Sequence, residues 1–133
     1  FADKPVQGEG ALAVEAVQGK PPAGRIRLQA GEPLRLAGWA IAPGLDLRTS
    51  PAAVVLRSPT GERIYAAPLL DRAVRHDVAI RFRQLDPRSV CAAGFAVELE
   101  TAALPPGEYR LGVAHAGGSG VVAAFSEHRV IVG

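Results

Sequence analysis

The sequence has one cysteine, Cys91, and neither methionine nor asparagine. A lone thiol cannot close an internal disulfide, and by itself it cannot build a thiolate metal site. Without asparagine there is no N-glycosylation sequon. Aromatic residues make up 5% of the chain: Trp39, two tyrosines and four phenylalanines. Surfaces that bind sugars or single-stranded nucleic acid stack their ligands on exposed rings, so this scarcity weighs against a strong binder of either kind. Excess charge is scarce too: 15 Lys+Arg stand against 13 Asp+Glu, a net +2. That balance gives no warrant for a nucleic-acid partner. No apolar run approaches the roughly 18 residues of a membrane-spanning helix. No stretch of about 11 residues shows a helical apolar face.

What is present is a chain of 133 residues, 48% hydrophobic and 21% charged. That suits one folded domain with a single core. The chain opens on Phe1 without an initiator and is expected to be a piece of a longer product. Arginine far outnumbers lysine and alanine abounds, the composition of a high-GC bacterial genome.

Glycine and proline, 15 and 11 copies, cut the chain into short runs with period-two alternation. That is the strand signal. Residues 1–10 read as a flexible leader and residues 11–133 as one all-β domain. Strands are predicted at 11–17, 25–30, 34–42, 52–57, 62–67, 77–83, 94–100, 108–115 and 121–132. Val78, Ile80 and Phe82 would point inward from the sixth. Leu34 and Leu36 have one parity, Trp39 and Ile41 the other, so a β-bulge is expected at Ala37-Gly38. A second is expected at Ser126-Glu127, where Phe125 and Val130 fall out of phase.

Two segments carry a resemblance. Leu104-Pro-Pro-Gly-Glu-Tyr109 resembles the E–F corner of immunoglobulin and fibronectin-type-III sandwiches, where a Tyr hydroxyl bonds back to the corner backbone. Leu36-Ala-Gly-Trp39 resembles their Trp-bearing early strand. The series Gly38-Trp39, Arg75-His76-Asp77-Val78, Gly94-Phe95 and Leu104–Tyr109 is similar to an accessory β-sandwich module of bacterial envelope proteins. The resemblance implies an antiparallel immunoglobulin-like or fibronectin-III-like β-sandwich of seven to nine strands. It also implies an extracytoplasmic setting, tethered through a membrane segment outside this sequence, and a non-catalytic role. Trp39 and Tyr109 would be structural.

The chemistry-bearing residues form no familiar constellation. His76, His115 and His128 share no metal-ligand spacing. No serine sits in a Gly-x-Ser-x-Gly elbow. Cys91 reads as a small hydrophobe. Glu98 and Glu100 lie on one outward strand face about 7 Å apart, which suits a glycosidase pair, yet no aromatic platform accompanies them. No catalytic residue, cofactor or metal is expected.

One charged cluster remains: Arg72, Arg75, His76, Arg81, Arg83 and Arg88, interleaved with Asp71, Asp77 and Asp86. Arginine forks hold carboxylates and phosphates in pairs of hydrogen bonds. With Tyr65 as the one candidate platform, this region is the candidate ligand or partner surface. The alternative is a solvated face with internal ion pairs, in which Arg75 and Asp77 fix the start of a strand. The expected function is a non-catalytic accessory or scaffolding module. Its partner would be protein, either the rest of its own chain or another envelope protein. The second reading is a carbohydrate-binding module for an acidic glycan.

Overall fold

The computed structural model describes residues 6, 7, 10–60, 64–86, 90–117 and 120–133, with Val6 and Gln7 described in backbone alone. These residues form β1 (Val6–Gln7), β2 (Ala11–Val17), β3 (Arg25–Leu28), β4 (Leu34–Ile41), β5 (Ala52–Arg57) and β6 (Ile64–Leu69). A helix α1 (His76–Arg81) and a 3-10 turn (Cys91–Ala93) follow, then β7 (Gly94–Leu99), β8 (Gly107–Gly117) and β9 (Gly120–Val132). Apart from those two short pieces, the regular structure among the described residues is all β.

The strands make two sheets. One runs β1-β9-β8-β5-β6, with β3 also paired to β9; the other runs β2-β4-β7. The smaller sheet is antiparallel. The larger one is mixed, because β1 and β3 run parallel to β9, a correction to the purely antiparallel expectation. Val6 and Gln7, expected in the leader, pair with Val121 and Val122. The rest of residues 1–9 lies outside the described residues.

Alternation decides which face is buried. In β3, Ile26 and Leu28 are buried while Arg25 and Arg27 are exposed. In β5, Ala52 to Leu56 are all buried, as befits a strand between β6 and β8. Pro68, which cannot donate to a ladder, sits on the edge strand β6. The main core joins both sheets: Val14, Leu34, Leu36 and Phe95 from one meet Val54, Leu56, Leu111 and Val130 from the other.

The expected strand at 77–83 is instead α1. Val78 and Phe82, read as strand neighbours two apart on one face, are also four apart, which is one helical face. Phe82 N–H donates to Val78 O, and Asp77 and Arg81 occupy the turns that suit acid and base. Ile80, expected inward, is 70% exposed.

The bulge expected at Ala37-Gly38 is not there either. β4 pairs with β7 without a break from Leu34 to Trp39. The irregularity lies in the neighbour β2, between Val14 and Ala16, opposite Gly38 and Ala37. So β4 keeps its parity: Leu34, Leu36 and Ala40 face the main core, while Trp39 and Ile41 face the other way. There α1 and the 3-10 turn cover them. Trp39, Ile41, Leu47, Val78 and Val90 form a second core. The two differences have one cause: β4 is buried on both faces, and α1 supplies the cover. At the second expected bulge the β8–β9 register does shift, from Arg110↔Arg129 to Gly112↔Phe125, but by two residues, so parity is kept: Val130 lies in the main core while Phe125 stays on the outward face beside Arg57 and Arg110.

Candidate functional site

The segment after β6 pairs through Ala73 with Gly94 and packs Val78 over the Trp39 and Ile41 face of β4, and the structure divides the expected arginine cluster into different tasks. Arg72 turns inward. Its Nη2 donates to Ala40 O at 2.7 Å and Ala93 O at 2.9 Å, and its Nη1 to His115 Nε2 at 2.8 Å. A guanidinium has only donors, so His115 Nε2 accepts and the imidazole is neutral. His115 is 1% exposed. Burial lowers its pKa to about 4, with Arg72 adding to the effect, and burial lowers Arg72 to about 10. Arg72 thus ties β4, the 3-10 turn and β8 together. Arg72 is a correction to the expected ligand surface: in the structure both of its Nη atoms are taken up by backbone carbonyls and an imidazole.

Arg75 is the second tie. Its guanidinium reaches Asp77 at 2.9 and 2.8 Å and Glu15 at 3.1 Å through Nη2, with a further bond from Nη1 to Glu15. Glu15 is the extra residue where β2 slips against β4. A bulge re-aims a side chain, and here Glu15 meets the segment that covers β4. The Asp77 carboxyl is held down at about 2 by the Arg75 hydrogen bonds. The backbone adds its own fastening, with Ala73 and Gly94 exchanging bonds of 2.8 and 2.9 Å. Arg75 and Asp77, expected to fix the start of a strand, pair instead at the start of a helix.

The remaining members stay outside. His76, Asp77, Arg81 and Arg83 are exposed. Arg81 lies 5.6 Å from the ring centres of both Trp39 and Phe82. Arg88 lies outside the described residues. Three large apolar side chains are exposed here, Leu70 at 85%, Val74 at 60% and Ile80 at 70%. Tyr65 is not among this group. It packs edge-on against Tyr109 with centroids 5.8 Å apart, and it lines a hollow of about 170 Å³ with Leu99, Glu100 and Leu104. No arginine lines that hollow, so the structure does not bring Tyr65 and the arginines together.

The other singled-out residues have structural places. Tyr109 is buried and its hydroxyl donates to Pro105 O at 2.6 Å, the corner bond expected from the sequence. Trp39 is buried, 6% exposed. His128 Nδ1 is 2.8 Å from Ala23 O. Glu98 stands opposite Arg35 across β7 and β4. Among the described residues, no three His, Cys, Asp or Glu side chains are grouped for a metal.

One assembly escaped the sequence reading. Arg25 pairs with Arg129, Arg129 with Arg110, and Arg110 with Arg57, across β3, β9, β8 and β5. All four alternate with core residues Ile26, Val130, Leu111 and Leu56, so they share the outward face. The outward parity of each was legible. The strand order and register that line them up were not.

No family model and no curated protein matches this chain.

Proposed function

We propose that this chain is a non-catalytic interaction module, a β-sandwich of immunoglobulin or fibronectin-III kind, serving a larger bacterial envelope protein outside the cytoplasm. The two-sheet architecture and the Tyr109 corner support the architectural reading. The observation that carries the functional one is the segment from Leu70 to Arg83. Its polar groups Arg72 and Arg75 are spent on fixing it rigidly to the sheets, while Leu70, Val74 and Ile80 are left exposed. Exposed apolar side chains on a fixed scaffold beside Arg81 and Arg83 suit a protein partner with an apolar patch and an acidic rim.

The test is site-specific photo-crosslinking in the intact gene product. A probe at Ile80 should give one discrete protein adduct, to another part of the same chain or to one partner. The same probe at exposed Ala102 should not. Diffuse labelling of equal strength from both positions would refute the reading.

A further inference from the structure

The arginine row is an arrangement the fold itself does not need. Like charges directly opposite on neighbouring strands are destabilising, and here three such pairs follow one another: Arg25–Arg129, Arg129–Arg110 and Arg110–Arg57. Strands lie about 4.8 Å apart, so the row spans roughly 14 Å straight across four of them. Arg25 and Arg110 are exposed, and Arg57 and Arg129 half-buried.

Little in the described residues neutralises it. Glu108 approaches Arg129 only at 3.8 Å, with the two side chains 45% and 40% exposed, so that pair contributes little. Glu127 is exposed nearby in the β9 bulge. Meanwhile Arg129 Nη1 is buried with no hydrogen-bond partner. The Phe125 ring lies against two of the others, with Arg110 at 5.0 Å and Arg57 at 5.9 Å from its centre. A ring packed against two guanidiniums reduces the entropy they lose on gripping a ligand.

We infer that the outer face of the six-stranded sheet binds an acidic polysaccharide, a linear chain of carboxylated sugars laid across the strands along Arg25, Arg129, Arg110 and Arg57. Guanidinium forks match carboxylates two bonds at a time. A single line of cations suits a single extended chain. The adjoining levels suit a broad plane of anions poorly: one holds Val55, Gly112 and Phe125, the other Arg27, Ile131 and Glu108. That argues against a bilayer surface, and the net charge of +2 argues against a duplex. Phe125 is occupied by arginines and is a poor platform for a base. The site lies on the other sheet from α1, so it stands or falls separately from the module's protein-facing surface.

Polygalacturonate is the probe, by affinity electrophoresis and calorimetry at low ionic strength. The protein should bind it and ignore neutral dextran, and binding should weaken with salt. The double variant Arg57→Gln/Arg110→Gln should bind at least tenfold more weakly, and so should Arg25→Gln/Arg129→Gln. Arg35→Gln and Arg48→Gln, placed elsewhere, should bind normally. Both double variants should melt no lower than the parent, because like-charge contacts are relieved. Should one melt lower, Arg25→Gln alone, at an exposed strand end, still has to weaken binding. The inference is overturned by no binding, by equal loss in the Arg35→Gln control, or by oligonucleotide or anionic vesicles binding as tightly as polygalacturonate.

Discussion

The Arg72 guanidinium donates to the His115 imidazole across 2.8 Å, so a cation and a titratable ring share a bond in the interior. The same fork holds the carbonyls of Ala40 and Ala93. Arg72→Gln would leave these buried acceptors unmatched, and a buried polar group without a partner costs about 1–3 kcal/mol. The variant should lose about 3 kcal/mol of stability in urea unfolding. Arg72→Lys should recover only part, since one ammonium cannot span three acceptors. A loss within error for Arg72→Gln would mean the network holds nothing.

His115 also predicts a pH dependence with a definite sign. Its folded pKa, about 4, lies below the ordinary 6.5 because burial and Arg72 disfavour the charged ring. As pH falls, the unfolded chain takes up the proton first. Stability from this site is therefore complete above pH 6.5 and is lost progressively down to about pH 4. At 1.36 kcal/mol per unit the loss is about 3 kcal/mol. Asp77, held at about 2 by Arg75, contributes only below this window. In His115→Gln, which keeps an acceptor for Arg72 but cannot titrate, the slope of stability between pH 6.5 and 4 should flatten. An unchanged slope would place the titration elsewhere.

At Gly38 the backbone of β4 lies tight against that of β2. A methyl group there would sit 2.0 Å from the carbonyl oxygen of Ala13, backbone that cannot swing aside. Gly38→Ala should cost about 3 kcal/mol, the upper end of ordinary overpacking, or prevent folding outright. Gly24→Ala, with nothing within 4 Å, should be neutral. Equal melting temperatures for the two variants would contradict the close approach.

What the sequence made legible was whatever depended on one strand at a time. Alternation at Arg25–Leu28 and Gly94–Leu99 located strands and their inward sides. Leu104–Tyr109 located the corner and its hydrogen bond. What escaped depended on two elements meeting. Trp39 and Ile41 look out of phase only if β4 has a single buried face, and nothing local says that a helix covers the other. Val78, Ile80 and Phe82 satisfy a period of two, and Val78 and Phe82 also one of 3.6; six residues are too few to choose. The choice is made by the apolar surface of β4, far away in sequence. Likewise the Arg25–Arg57 row appears only when register is known, and Arg72 appears as a tie only when β4 and β8 converge on it.

That dependence makes Trp39 the sharpest test of the fold. Its indole packs with Val78 and Val90, meets Phe82 edge-on at 5.5 Å and lies under Arg81. Truncating a buried Trp typically costs about 3–5 kcal/mol. Here the loss should be local first, because a six-residue helix cannot hold itself together in water. In Trp39→Ala the amides of Ala79 and Phe82, bonded to Arg75 O and Val78 O, should lose protection from hydrogen exchange ahead of β5 and β8. Tyr109→Phe removes one hydrogen bond at the opposite corner. It should cost about 1 kcal/mol and leave those helix amides as protected as before. Native exchange measured by NMR on both variants separates the two cores. If α1 stays protected in Trp39→Ala, the second core does not hold the helix, and the account of why Trp39 faces away from Leu34 and Leu36 fails with it.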